Sequence, residues 1–169
     1  MNTTMKDSTQ AVLAISSPTQ ANIASSSERP PDYAIYKPNS RGSGGVMRFG
    51  FNRHKAAVFV DAAMQSGEKQ FDWDRKITMK WGLSDLGAAL ATFQGRTSDA
   101  KLFHESEKAN SAFELIHRDD ADRAPYLMSI SRQDAADKSL RKVTIPVSQA
   151  EAAVLGTVLS TAITRILDW

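Results

Sequence analysis

A strand-like segment that passes directly into a helix-like segment is the feature that most constrains how this chain folds. Side chains alternate along residues 70–81, and this period of two predicts a strand with two different faces. One face carries Trp73, Arg75, Ile77, Met79 and Trp81, and the other carries Asp72, Asp74, Lys76, Thr78 and Lys80. Beyond them the period becomes helical, with Ser84 and Asp85 as candidate caps and Gly95 as the stop. The helical positions are Leu83, Leu86, Leu90 and Phe93.

The same plan occurs twice along the chain. Strand-like segments at 33–36, 46–51 and 56–64 precede the one at 70–81, and four more follow at 101–104, 112–117, 126–131 and 142–147. Ser148 and Glu151 then form a capping box that begins a second helix. Its apolar stripe contains Leu155, Val158, Leu159, Ala162, Ile163, Ile166 and Leu167. We therefore predict an α+β fold with an internal duplication of four strands and one helix.

The two predicted helices are preceded by similar four-residue segments. Arg75-Lys76-Ile77-Thr78 before the first helix corresponds to Arg141-Lys142-Val143-Thr144 before the second. Four residues match by chance in many chains, but here they occupy the same place in both halves. The match therefore supports the duplication.

The N-terminal residues 1–31 differ from the rest in composition. They are rich in Ser, Thr, Ala and Gln without an apolar period, which predicts a disordered tail that adds little stability. We expect one folded domain over residues 32–169. The tail also resembles an organelle transit peptide, although its first arginine is Arg29. The compartment stays open: intracellular, with cytoplasm, nucleoid or an organelle as alternatives.

Positive charge is concentrated in the first half of the predicted domain. Residues 33–82 hold nine Lys or Arg against four Asp or Glu, a net +5, whereas residues 83–169 carry −2 and residues 1–32 carry −1. A local basic surface is typical of polyanion binders, but solvated surface charge explains it as well. No apolar run reaches the length of a membrane helix, so no membrane partner is expected.

Aromatic and basic residues are interleaved in this basic region, as sequence-tolerant binding of single strands requires. Arg48 is the best single candidate because a cation inside a strand is otherwise a poor choice. We expect Trp73 and Phe59 to lie in the core. The predicted nucleic-acid-binding residues are Tyr36, Lys37, Arg41, Arg48, Phe49, Phe51, Arg53, Lys55, Lys76, Lys80 and Trp81.

Patterns of catalytic or metal-binding residues are weak. The chain has no cysteine, which excludes disulfides, cysteine-based zinc sites and a thiol nucleophile. His54, His104 and His117 lack metal-site spacing, and the glycine-rich loop 42–45 is neither a nucleophile elbow nor a P-loop. The acidic run 119–122 is typical of a solvated hairpin turn. We expect no enzyme activity, no catalytic residue, no metal and no cofactor.

Four segments, in order, resemble the Whirly family of single-stranded DNA-binding proteins. The segment 70–76 resembles its Tyr-Asp-Trp-x-Arg-Lys motif, and 102–104 resembles Phe-Phe-His. The segment 145–151 with 167–169 is similar to the family's ending, and 33–37 matches its opening Tyr-x-Ile-Tyr-Lys. The family's Lys-Gly-Lys-Ala-Ala-Leu signature, associated with assembly and DNA binding, is replaced by the stretch 37–45.

This resemblance implies two packed antiparallel four-stranded sheets and two helices that join subunits in a fourfold ring. It implies single-stranded DNA bound with little sequence preference across sheet edges between neighbouring subunits. We therefore expect a homo-oligomer that binds single-stranded DNA through basic and aromatic sheet surfaces and protects or organises it in DNA maintenance or transcription. Mitochondrial guide-RNA-binding proteins share the fold, so single-stranded RNA binding or annealing is an alternative. An oligomeric scaffold without a nucleic-acid role is the other.

Overall fold

The computed structural model describes residues 32–119 and 123–169. The predicted tail at 1–31 and most of the acidic run at 119–122 therefore lie outside the described residues. Two antiparallel sheets and two helices make up the described part, which confirms the α+β prediction.

Sheet 1 is formed by the first half of the chain. Its main strands run in the order β1, β2, β3 and β5, and the two-residue β4 pairs with the end of β3. The strands are β1 (Tyr33–Lys37), β2 (Gly45–Asn52), β3 (Ala57–Gly67), β4 (Gln70–Phe71) and β5 (Ile77–Trp81).

The predicted strand 70–81 is interrupted, which corrects the sequence expectation. The backbone N–H of Arg75 donates to the side-chain oxygen of Asp72, and that of Lys76 donates to the carbonyl oxygen of Trp73. An aspartate that accepts such a bond closes a turn and so competes with strand pairing. Residues 72–76 are therefore a turn, and only the second half of the segment becomes β5.

Sheet 2 is formed by the second half and has the simple order β6, β7, β8 and β9. All four predicted strands are present, each longer than its apolar centre suggested. They are β6 (Asp99–Glu105), β7 (Ala109–His117), β8 (Tyr126–Asp134) and β9 (Leu140–Val147).

The helices are α1 (Leu83–Phe93) and α2 (Gln149–Leu167). The capping box of α2 is confirmed: the Glu151 N–H donates to Ser148 Oγ at 3.2 Å, and the Ser148 N–H donates to the Glu151 carboxylate at 2.9 Å. The α1 cap differs from the prediction, because the helix begins after Gly82, whose N–H donates to Asp85 at 3.0 Å. Gly95, with φ +70°, follows the end of α1 as expected.

The core lies between the sheets and under the helices. Trp81 is at its centre, with its ring 4.6 Å from that of Phe113 in sheet 2 and 5.9 Å from that of Phe49 in sheet 1. The sheets approach closely at Gly45, where a side chain would meet Val143 of β9. Single residues on these strands therefore hold the two halves together.

The long helix α2 has a buried face and an uncharged, exposed face. Leu155, Leu159 and Ala162 of the predicted stripe are buried, whereas Leu167 is exposed. By length and composition alone α2 could cross a membrane, with a mean hydropathy of 1.4, which the sequence expectation did not allow for. In this structure its buried face packs within the chain. Between Glu151 and Arg165 the helix carries no charged residue.

Candidate nucleic-acid interface

Strand register sorts the side chains of sheet 1 onto two faces. Met47, Phe49, Val60 and Met79 point into the core. The alternating residues form the opposite side of the sheet, which we call the outer face; some of them, such as Val46, are buried. Arg48, Asp61 and Thr78 are direct neighbours across β2, β3 and β5 and form one row of it. The next rows contain Tyr36 with Val46, and Phe59 with Lys80.

The turn 72–76 and the preceding β4 bring further aromatic rings to the outer face. The Arg48 guanidinium carbon lies 4.7 Å from the centre of the Trp73 ring. The rings of Tyr36 and Phe71 are 5.7 Å apart, and Tyr36 is 55% exposed. A guanidinium plane resting on an indole ring is a preformed surface on which a base can stack.

Asp61 is the acidic centre of this basic surface. Its carboxylate accepts from Thr78 at 2.6 Å, Arg48 at 2.7 Å and Lys76 at 3.0 Å. Burial opposes ionisation of Asp61, but these hydrogen bonds outweigh it and hold its pKa below the ordinary value. The same hydrogen bond raises the pKa of Arg48. Arg48 also lies 3.6 Å from Asp32, so its position is set from two sides.

Two predicted stacking residues are in the core, which contradicts that role for them. Phe49 is 2% exposed and Trp81 is 1% exposed, because both point to the inner face of their strands. Phe51 is half-buried against the core, with the Arg165 guanidinium 6.0 Å from its ring. Phe59 and Trp73, expected in the core, are instead half-buried, Phe59 among the alternating outer-face positions and Trp73 beneath Arg48.

The predicted cations fall into two groups. Lys37 is held by both carboxylate oxygens of Glu151, at 2.7 and 2.8 Å, and Arg53 lies 3.8 Å from Asp168. Lys76 is shared with Asp61 as described. Arg41, Lys55 and Lys80 are exposed, and within residues 32–119 and 123–169 no acidic side chain pairs with them. The second group is open to a ligand.

A family model described as the Whirly transcription factor matches residues 41–158. The chain belongs to the Whirly family. It is 30% identical over 108 residues to the mitochondrial single-stranded DNA-binding protein WHY2 of Arabidopsis thaliana. That match covers 61% of this chain and 44% of the relative, so the chain spans less than half of its length.

Solved structures show the same fold. The Whirly protein WHY1 of Arabidopsis thaliana superposes with a TM-score of 0.68 at 16% identity, covering 82% of this chain and 86% of that one. A guide-RNA-binding protein complex bound to its RNA superposes with a TM-score of 0.59 at 17% identity, covering 80% and 91%. The two-sheet architecture inferred from the sequence resemblance is thereby confirmed.

Proposed function

We propose that this Whirly protein binds single-stranded DNA with little sequence preference through the outer face of sheet 1. The protein acts as a homo-oligomer and protects or organises DNA during its maintenance or transcription. The observation that carries the proposal is the Arg48 guanidinium resting on Trp73 beside the Tyr36 and Phe71 rings. The description of the relative WHY2 as a single-stranded DNA-binding protein supports the choice of ligand.

The chemistry of the outer face favours unpaired bases. Each base has an aromatic surface, so rings such as Tyr36 accept any of the four, and stacking contributes about 1–3 kcal/mol per base. In a duplex these surfaces are covered by neighbouring base pairs. Exposed cations such as Lys80 then contact phosphates without reading sequence.

Single-stranded RNA is the second candidate ligand. The guide-RNA-binding complex shares the fold, and stacking on Tyr36 or Trp73 does not depend on the 2′-hydroxyl. Matched DNA and RNA oligonucleotides of one length decide between the two.

The uncharged, exposed face of α2 supports the homo-oligomer. Ala153, Thr157 and Thr161 are exposed small residues along it, and Val154 is 48% exposed. A solvated helix face normally carries charge, so such a face indicates contact with another subunit. A fourfold ring built on these helices is the arrangement that we propose.

A competition titration tests the function. The protein should prefer single strands over a matched duplex by at least about tenfold, or about 1.4 kcal/mol. Tyr36→Ala should weaken single-strand binding by about 1–3 kcal/mol. Phe103→Ala is the matched control, because Phe103 is 64% exposed but lies on sheet 2. Equal affinity for duplex and single strand would refute the function, and equal losses in the two variants would refute the assignment to sheet 1.

A further inference from the structure

A groove lies at one end of sheet 1, between the loop that joins β1 to β2 and the hairpin that joins β3 to β4. We call it the end groove, and its volume is about 690 Å³. Asn39 and Arg41 contribute one wall, and Gln65, Glu68 and Lys69 contribute the other. The loop belongs to the stretch that stands in place of the family's Lys-Gly-Lys-Ala-Ala-Leu signature.

The walls of the end groove are fixed to each other by one side chain. The side-chain oxygen of Gln65 accepts from the backbone N–H groups of Asn39, at 2.9 Å, and Gly44, at 3.1 Å. Its amide nitrogen donates to the backbone oxygens of Asn39, at 3.1 Å, and Gly67, at 3.0 Å. Every wall therefore depends on Gln65, and the groove is formed before any ligand arrives.

Cations stand on both walls without an acidic partner in the described part of the chain. Arg41 is exposed, and its backbone N–H donates to the Asn39 side chain at 3.1 Å, which fixes its place in the loop. Lys69 is exposed on the opposite wall next to Glu68. Its backbone has φ +56°, a left-handed conformation that a lysine rarely adopts. Glycine adopts this conformation without strain.

Two aromatic residues of the outer face are close to the end groove along the chain. Tyr36 lies at the end of β1, just before the loop, and Phe71 lies two residues after Lys69. Their rings are 5.7 Å apart, and Phe71 pairs in register with Gln65 of the groove wall. A polymer lying in the groove would therefore reach the stacking rings directly.

We propose that the end groove holds the phosphodiester backbone of the single strand that stacks on the outer face, with Arg41 and Lys69 as its phosphate contacts. This inference rests on the proposed function. It assigns the end of sheet 1 at which the strand crosses.

Lys69→Gly tests the inference with an unusually close control in Lys138→Gly. Lys138 is an exposed lysine in the β8–β9 hairpin of sheet 2, with φ +57°. Both substitutions remove one positive charge and both place glycine where it is favoured, so both variants should fold at least as well as the wild type.

Lys69→Gly should weaken single-strand binding about fivefold near 0.1 M salt and reduce the slope of log affinity against log salt by about 0.7, because one phosphate contact is lost. Adding Arg41→Gln should double both logarithmic changes. Lys138→Gly should bind like the wild type. If the two glycine variants bind alike, the end groove is not a contact site, although the proposed function stands.

Two further outcomes are distinct. A wild type that does not prefer single strands refutes the proposed function itself. Inorganic phosphate, added at constant ionic strength and at the concentration of the oligonucleotide phosphates, should leave binding unchanged. If it abolishes the difference between wild type and Lys69→Gly, the groove is a site for free anions and the inference is overturned.

Discussion

Asp61 shows how a single residue organises the outer face. Arg48 stands out in the sequence as a cation inside a strand, but the sequence does not identify its partner. Arg48 and Asp61 are thirteen residues apart and meet only because of the β2–β3 register. Register depends on turn geometry and on the whole hydrophobic pattern, so it was not readable from either residue.

Asp61→Ala should destabilise the fold by about 1–3 kcal/mol at neutral pH, because Arg48, Lys76 and Thr78 lose a shared hydrogen-bond acceptor. Asp74→Ala is the control: it removes the same charge from an exposed position and should cost less than about 0.5 kcal/mol. Urea unfolding measures both.

The pH dependence of this difference follows from the lowered pKa of Asp61. A carboxyl with a depressed folded-state pKa contributes stability that is fully present above its unfolded pKa of about 3.9 and is lost as pH falls through the folded value. The difference in free energy of unfolding between wild type and Asp61→Ala should therefore be constant near neutral pH and should decrease below about pH 3.9. A gap that stays constant into strong acid would contradict the ion-pair assignment.

Burial of Phe49 and Trp81 illustrates the same limit from the other side. Composition showed that aromatic residues were plentiful in the basic region, but not which face each ring occupied. Within β2, alternation relative to Arg48 places Phe49 on the opposite face. Between strands alternation is not enough: Phe59 is an odd number of residues from Arg48 and still shares its face, because the register pairs Phe59 with Gly50. Pairing is needed to compare faces between strands.

Among the elements, periodicity predicted the strands and helices well, and local hydrogen bonds decided their ends. The strand predicted over 70–81 failed at its middle because Asp72 closes a turn, a feature that alternating side chains conceal. The α2 cap was predicted correctly because Ser148 and Glu151 bind each other locally, and a local interaction is visible in a short stretch of sequence.

Glu151 connects α2 to sheet 1 as well as capping it. Glu151→Ala removes the side-chain half of the capping box and the Lys37 ion pair together, so it should cost about 1–2 kcal/mol and lower the melting temperature by several degrees. Glu107→Ala, in the exposed β6–β7 turn, should leave the melting temperature nearly unchanged. Equal melting temperatures for the two variants would show that the Glu151 side chain is dispensable for stability.

At the scale of the whole molecule, assembly must be tested at residues that the subunit itself leaves exposed. Leu159 belongs to the apolar stripe of α2, but it is completely buried within its own chain. A charge at Leu159 would unfold the protein rather than separate subunits. The exposed face of α2 offers positions where a charge would not unfold the protein.

Thr157→Glu should reduce the molar mass measured by light scattering, because it places a charge on the exposed, uncharged face of α2. Ala135→Glu adds the same charge at an exposed position in the β8–β9 turn and should keep the wild-type mass. If single strands cross between subunits, Thr157→Glu should also bind them more weakly. A ring whose subunits bind with micromolar or tighter affinity is assembled at about micromolar concentration. A wild type that is monomeric there would refute the ring.

The two halves of the duplication exchange their helices. Helix α1 ends the first half but contacts β6 and β7 of sheet 2, where His104 meets Asp85 at 3.2 Å. Helix α2 ends the second half but contacts β1 and β3 of sheet 1. Each half thus completes the other, and neither is an independent folding unit. Unfolding should be a single transition of the entire domain, so a ligand held only on sheet 1 protects sheet 2 equally against heat and proteases.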